Sequence, residues 1–437
     1  MSDTELASVA ALTHEGEGVV RGGKTAFVAG ALPGELVRFR RVRRHRSHDD
    51  AELVEIVQAS AERTTPRCAH FGVCGGCALQ HLAPERQIEA KQQELAESLE
   101  RIARAEPRRW LAPLRGPMWE YRRRARLGAR FVDKKGRSLV GFRERLSTHV
   151  ADVERCEVLA APAGALVGAL SVLLTKLSIR ERIPQIEVAV ADNATALVLR
   201  VLSPPAAADL VALEDFERAQ GVRLYLQPQG LDSVRRLRED PAQEPLRYSL
   251  PDFDVRLEFE PTDFIQINAA INASLVGLAV ELLELDRDSR VLDLYCGLGN
   301  FTLPLSRRCH SVLGVEGDQT LVRRARHNAA VNAISNVDFA VADLAQPPGP
   351  ASPWAAAVYT HVLLDPPRAG ARDVMPTIAR LTPKRVLYIS CHPGSLARDV
   401  GMLVHDHGFT LCAAGVLDMF PHTTHVESVA LLAPAGR

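Results

Sequence analysis

No run of about eighteen apolar residues occurs in the chain, which excludes a membrane-spanning helix of the usual kind. The opening Met1-Ser-Asp-Thr-Glu-Leu6 lacks a basic segment followed by an apolar one. No secretion signal is read there, and the expected location is the cytoplasm. Net charge is missing too: 53 Lys and Arg balance 53 Asp and Glu, which alone argues neither for nor against nucleic acid. No internal repeat or low-complexity tract stands out. What remains is the composition of a soluble globular protein, 46% hydrophobic and 24% charged. At 437 residues it exceeds one ordinary core, so two to three domains are expected.

Charge becomes informative once its distribution is read. Arg38, Arg40, Arg41, Arg43, Arg44 and Arg46 crowd one short stretch, and Arg122, Arg123, Arg124 and Arg126 follow Tyr121. Local basic patches are the footprint of phosphate binding, and guanidinium forks suit phosphates and base edges. The competing reading is a solvated face. Eight cysteines are present, and a reducing cytosol turns such residues towards metal or catalysis rather than disulfides.

Residues 1 to about 60 read as short strands between turn signals, suiting a small β-barrel. Cysteines and glycines fill 61 to 82, followed by a helix from Pro84 to Arg104 with apolar repeats at Ile88, Leu95, Leu99 and Ile102. The stretch to about 264 mixes strands (186–190, 196–201) with helices around 162–178 and 207–219, an α+β pattern. From 265 onward helices alternate with buried apolar strands, the mark of a parallel α/β sheet. The Pro/Gly/Ala-rich stretch Gln346 to Ala357 reads as a surface loop. The expected division is therefore 1–60, 61–264 and 265–437.

The most informative segment is Arg290-Val-Leu-Asp-Leu-Tyr-Cys-Gly-Leu-Gly-Asn300. An apolar strand ends in a Gly297-x-Gly299 turn, where glycine lets a ligand approach the backbone at the carboxyl end of a first strand. A second strand, Ser311 to Val315, ends in Glu316, the place where a ribose diol is held. A third, Val337 to Val341, ends near Asp343, placed to accept from an adenine amino group. The pattern is G-x-G-N rather than the dinucleotide G-x-G-x-x-G. Acidic tips on strands two and three resemble class I S-adenosylmethionine methyltransferases instead.

Two further strands end in chemistry. His361-Val-Leu-Leu runs into Asp365-Pro-Pro-Arg368, and Arg385-Val-Leu-Tyr-Ile-Ser390 into Cys391-His392-Pro393. Later, Glu427 stands at the entrance of an apolar strand. A cysteine and a glutamate serve one reaction well. Uracil C5 is a poor nucleophile until a thiolate adds to C6, and a base must afterwards remove the C5 proton. Cys391 would be the nucleophile and Glu427 the base. Taken singly, each has a plainer reading, as a small buried hydrophobe and a strand-end carboxylate. Cys296, Cys309 and Cys412 read as structural, and His422 and His425 as packing or RNA-facing.

Cys68, Cys74 and Cys77 form a C-x5-C-x2-C array, with Cys156 the natural fourth ligand. Four thiolates suit a cubane cluster or tetrahedral zinc, and spacing does not decide between them. Zinc usually takes paired C-x2-C ligands, and a radical S-adenosylmethionine enzyme would show C-x3-C-x2-C.

Together these residues resemble the RNA 5-methyluridine methyltransferases. The likeness covers most of the chain, through Asp263-Phe-Ile-Gln-Ile-Asn268, Asp293 to Asn300, Asp365-Pro-Pro-Arg-Ala-Gly370, Ser390-Cys-His-Pro393 and His425-Val-Glu427. The resemblance implies that Gln266, Tyr295, Asn300, Glu316, Asp343 and Asp365 contact S-adenosylmethionine and that Phe264 lies near the target base. It makes Cys391 the nucleophile, Glu427 the base, and Cys68, Cys74, Cys77 and Cys156 the ligands of a [4Fe-4S] cluster. It implies a TRAM (OB-like) RNA-binding barrel at 1–60, a central α+β domain with the cluster, and a C-terminal Rossmann-like class I methyltransferase domain. Members with both barrel and cluster act on 23S rRNA, whereas the tRNA enzymes of the group are expected to lack both. The expected partner is therefore 23S rRNA, with no obligate protein partner and a monomeric enzyme. Two departures are His392, where many relatives have Asn or Asp, and Tyr295, where Phe alternates. The rival readings are the same chemistry on tRNA or another uridine, and a non-catalytic RNA-binding or assembly factor.

Overall fold

The computed structural model describes residues 4–238, 240, 242–349 and 352–436. Residues 1–3 of the stretch read for a signal, 350–351 of the stretch 346–357, and Arg437 lie outside it. No helix among the described residues is long and apolar enough to cross a membrane.

Five strands close a barrel at the N-terminus: Glu5–Leu12, Glu17–Val20, Thr25–Ala29, Leu36–Arg44 and His48–Gln58. Alternation explains it, because Ala26, Val28, Val37 and Phe39 are wholly buried while the residues between them turn outward. The arginine-rich strand is partly self-neutralised. Arg38 faces Glu55 and Arg40 faces Glu52 across the antiparallel register, at 3.1 and 2.6 Å. Arg41 reaches Glu5 at 2.7 Å and Asp49 at 2.9 Å. Only Arg43, Arg44 and Arg46 of that stretch stand exposed without an ion pair among the described residues. Glu35, wholly buried, ties the barrel to the next segment of chain through Arg63 at 2.6 Å.

A six-stranded sheet fills the middle of the chain. Its order is Arg235–Arg236, Arg223–Gln227, Thr195–Arg200, Gln185–Val190, Arg124–Val132 and Arg137–Gly141. Helices Ala163–Lys176 and Ala207–Gln220 share its core through Leu166, Val167, Leu170, Leu174 and Leu213. The second arginine group is used inside this unit. Arg124 and Arg126 converge on Glu187 at 3.6 and 3.1 Å, Arg123 pairs with Asp192 at 2.8 Å, and Arg122 lies over the Phe142 ring. The second phosphate patch is therefore largely a structural ion-pair set.

The third unit is an eight-stranded sheet. Its order is Val337–Val341, Ser311–Glu316, Arg290–Leu294, His361–Leu364, Arg385–Ser390, Glu427–Pro434, Phe409–Leu417 and Arg109–Trp110. The first five strands are parallel, and Glu427–Pro434 inserts antiparallel between its neighbours. Both faces are apolar, as a sheet covered by helices requires. Val291, Leu363 and Ile389 join one core with the helix Ala269–Leu283, while Leu292, Val362 and Tyr388 join the other with Pro393–His407.

Chain order and architecture part company at one place. The helix Pro84–Ser98 buries Ile88 and Leu95 in that second core, and Arg109–Trp110 adds the sheet's last strand. Residues 84–110 thus pack with the C-terminal sheet rather than with the central one. Past Leu99 the helix continues as a π turn, Leu99–Ala103, ending at Arg104 in a left-handed conformation. The wider turn rotates the buried face by one position. Ala103 is buried where Ile102 was expected, and Ile102 is exposed. Within 346–357, Pro353–Ala356 forms a short helix whose Trp354 is buried, so that part is not a bare surface loop.

Candidate active site

The carboxyl ends of the parallel strands gather most of the residues singled out from sequence. After Arg290–Leu294 the chain turns through Tyr295 (φ 63°) and Gly297 (φ 52°), both left-handed. A side chain at Gly297 would meet no atom within 4 Å, so the turn opens onto free space at the strand tip. Glu316, at the next tip, accepts from the amides of Gly297 at 3.1 Å, Gly317 at 2.7 Å and Asp318 at 3.1 Å. Asp343 stands exposed beyond the third strand and accepts from the Ala345 amide at 2.9 Å. The Tyr295 hydroxyl spans the gap to donate to the Leu344 carbonyl at 3.2 Å. Backbone shape and acid placement at this edge fit a nucleoside with a ribose diol and an amino-bearing base.

Gln266 donates to the Asp365 carboxylate at 3.1 Å, linking the segment before helix Ala269–Leu283 to the fourth strand's tip. Burial pushes Asp365 up to about 7 against that hydrogen bond. Asn300 is more committed than expected. Its side chain exchanges two hydrogen bonds with Asn272 at 2.9 Å each and accepts from Tyr248 at 3.0 Å, leaving one N–H free. Phe264, two residues before Gln266, is 69% exposed, unusual for a large aromatic side chain.

Cys391 and Glu427 meet through sheet register. Ser390 pairs with Ser428 across antiparallel strands, and the Ser428 hydroxyl donates to the Ser390 carbonyl at 3.1 Å. Cys391 directly follows Ser390 and Glu427 directly precedes Ser428, so both stand at the same end of this strand pair. Burial, then the charges of Glu427 and Asp365, push the Cys391 thiol up to about 11. Glu427 is raised well above the usual carboxylate range by its own burial and then by Asp365. A half-buried thiol, a buried carboxyl and a second acid thus share the strand ends where the nucleoside edge begins.

Cys68, Cys74, Cys77 and Cys156 line one cavity with Phe71, Phe142 and Val158. The glycines between Cys74 and Cys77 fit tightly: a side chain on Gly75 would come within 3.0 Å of the Arg143 carbonyl, and one on Gly76 within 3.0 Å of the Phe142 ring. Burial pushes Cys74 up to about 11 and Cys77 to about 12, and neighbouring thiols of the set add to both. Such thiols ionise only if a cation compensates them.

Comparison with known proteins places this geometry. The tRNA (uracil-5-)-methyltransferase family matches residues 84–345 and 355–434. The chain belongs to that family. It is 51% identical over 97% of its length to the 23S rRNA (uracil(1939)-C(5))-methyltransferase RlmD of Alkalilimnicola ehrlichii, covering 95% of that protein. To the enzyme of the same name from Stenotrophomonas maltophilia it is 49% identical over 96% of its length, again covering 95%. In fold it resembles the Pyrococcus abyssi tRNA (uracil-54, C5)-methyltransferase solved with S-adenosyl-L-homocysteine. The TM-score is 0.75 at 22% identity, over 98% of this chain and 100% of that one.

This last likeness corrects one expectation. A tRNA enzyme of the uracil-5-methyltransferase family shares nearly the whole architecture, so the barrel does not by itself separate rRNA from tRNA enzymes. The His392 departure is explained locally. Its Nδ1 accepts from the Ser395 amide at 3.1 Å and caps the helix Pro393–His407, the task Asn or Asp performs at such positions. His422 is packed rather than RNA-facing: it is 4% exposed, with its ring 4.0 Å from Trp119. His425 stands exposed beside Phe420. Cys296, Cys309 and Cys412 belong to or border the apolar core.

Asp293, given no role in the sequence beyond the motif it opens, is more than a strand residue. It is 1% exposed, its Oδ2 accepts from Thr302 at 2.5 Å, and its Oδ1 has no partner. Burial, then the charges of Asp365 and Glu316, push it up to about 7. The signal was available: an acid inside an otherwise apolar strand is costly unless something meets it.

Proposed function

We propose that this chain transfers a methyl group from S-adenosylmethionine to C5 of a uridine in 23S rRNA, through a covalent adduct with Cys391. The observation that carries the reading is that Cys391 and Glu427 adjoin the Ser390–Ser428 pair and feel one another's charge, beside the strand-tip edge formed by Gly297 and Glu316. The substrate class follows the names of the relatives at 51% and 49% identity.

The Cys391 thiolate adds to C6 of the uracil ring, and the resulting enolate makes C5 nucleophilic. S-adenosylmethionine supplies an electrophilic methyl group. The C5–methyl bond forms as the methyl–sulphur bond breaks, leaving S-adenosylhomocysteine. Glu427 then removes the C5 proton, the C6–sulphur bond breaks, and the thiolate departs. Burial suits Glu427 to this task, since a raised pKa makes a stronger base. Glu316 would hold the ribose diol and Asp343 the adenine amino group. Gln266, Tyr295, Asp365 and the free N–H of Asn300 would meet the rest of the cofactor. Exposed Phe264 offers a stacking face to a uridine swung out of its strand.

Cys68, Cys74, Cys77 and Cys156 would hold a [4Fe-4S] cluster, whose part is structural because methyl transfer moves no electrons. The barrel, through Arg43, Arg44 and Arg46, would hold RNA phosphates away from the reacting base. The enzyme would act as a monomer.

Purified protein incubated with S-adenosylmethionine and unmodified 23S rRNA tests the reading. Nucleoside mass spectrometry should find 5-methyluridine at one mapped position. Methylation of tRNA instead would move the substrate, and no 5-methyluridine on either RNA would remove the activity.

A further inference from the structure

The segment from Asp418 to Val426 leads into Glu427 and forms no helix or strand. It is nonetheless deeply buried, with Met419 at 0%, His422 at 4% and Val426 at 2% exposure. A buried loop without its own ladder must satisfy its polar groups elsewhere. Its partners come from far upstream in the chain.

The amides of Ala78 and Leu79, directly after Cys77, both donate to the His422 carbonyl, at 2.9 and 3.0 Å. Gln87 closes from the opposite side. Its side-chain carbonyl accepts from the His422 amide at 2.9 Å, while its Nε2 donates to the carbonyls of Leu79 at 3.0 Å and Leu82 at 2.8 Å. One helical turn on, Lys91 is 2% exposed and donates to the Asp418 carboxylate at 2.7 Å and the Phe420 carbonyl at 2.9 Å. The Tyr121 hydroxyl donates to the Pro421 carbonyl at 3.0 Å. His422 is left-handed at φ 64°, a backbone state that persists only where its surroundings hold it. Thr424 is also reached by the barrel: a side chain on Gly16 would come within 3.1 Å of its methyl group.

We infer that Gln87 and Lys91 are positioning residues for Glu427, setting through this loop where the base stands and so controlling the release of methylated RNA. The inference rests on the covalent reaction proposed above. Its logic comes from the elements that hold each group. Cys391 directly follows the strand Arg385–Ser390, whereas Glu427 is the first residue of its strand and takes its approach from the loop. Loosening the clamp should leave thiol addition and methyl transfer in place and slow proton removal. The segment directly after Cys77 is the other jaw of the clamp, joining the cysteine site to the base through two hydrogen bonds.

The test uses full-length, metal-loaded protein, S-adenosylmethionine and a natural 23S rRNA fragment. Gln87→Ala should accumulate a methylated covalent protein–RNA adduct about tenfold above wild type, with turnover lowered by a similar factor. Hydrogen exchange should speed up across 418–427 and stay unchanged across 385–390. Lys91→Met alone strands a buried carboxylate and can fail to fold, so it is paired with Asp418→Asn, which removes both charges. The double variant should show the same accumulation. An equal fall in adduct formation and turnover, or no change in either, overturns the positioning assignment. A wild-type protein that forms no adduct on 5-fluorouridine RNA overturns the covalent reading, and the positioning role with it. A wild type that traps normally, beside variants that partition no differently, overturns the positioning alone.

Discussion

Cys391 and Glu427 each adjoin the antiparallel Ser390–Ser428 pair, close enough that the Glu427 charge adds to the upward shift of the thiol. Burial first, and then the charges of Glu427 and Asp365, favour the thiol over the thiolate. A cysteine kept as thiol is guarded against oxidation, because the thiolate is the reactive form.

Removing either member of this pair should stop different steps. Cys391→Ala should abolish 5-methyluridine formation while S-adenosylmethionine binding stays near wild type by calorimetry. Glu427→Gln should still form the methylated adduct but release it roughly 10²–10⁴-fold more slowly, followed by denaturing gel and intact mass.

The raised Cys391 thiol gives a pH signature with a definite sign. Its thiolate fraction grows as pH rises towards about 11, so alkylation at Cys391 should speed up about tenfold per pH unit between 7 and 9. Peptide mass spectrometry after timed iodoacetamide treatment reads this out. A plateau below pH 8 would mean an activated resting thiolate.

At the barrel junction, burial raises the Glu35 pKa, but the Arg63 hydrogen bond and the amides of Leu32 and Ser60 outweigh it and hold it below 4.5. A depressed carboxylate stabilises the fold above its ordinary pKa and loses that contribution as pH falls through the folded value. Glu35→Gln should cost about 3 kcal/mol at pH 7 by urea unfolding. The gap to wild type should narrow as pH falls through the depressed Glu35 value.

Loss of one ligand should empty the cysteine cavity. Protein purified without air should carry about four iron and four sulphide per chain by chemical analysis. Cys156→Ser should lose most of both and melt earlier. Stoichiometric zinc in place of iron would instead assign a mononuclear site.

Much of the site was legible because it lies at strand ends, where sequence order and spatial order agree. Gly297, Glu316, Asp343, Asp365 and Cys391 each follow an apolar strand, and a parallel sheet places such tips side by side. What sequence hides is pairing at long range. Nothing in Arg38 or Arg40 shows that Glu55 and Glu52 face them. Nothing in Arg109–Trp110 shows that it edges a sheet built almost two hundred residues later. Ile102 was misjudged because a 3.6-residue repeat does not survive a π turn. The hold on the loop before Glu427 is equally hidden, because it comes from Gln87, Lys91 and Tyr121, each polar and far upstream.

The most direct measurement is mass spectrometry of the protein after reaction with S-adenosylmethionine and a 5-fluorouridine-substituted 23S rRNA fragment. Fluorine at C5 cannot leave as a proton does, so the account requires a stable adduct, methylated at C5 and attached through Cys391. An adduct at another residue, or none from protein that binds S-adenosylmethionine, would contradict it.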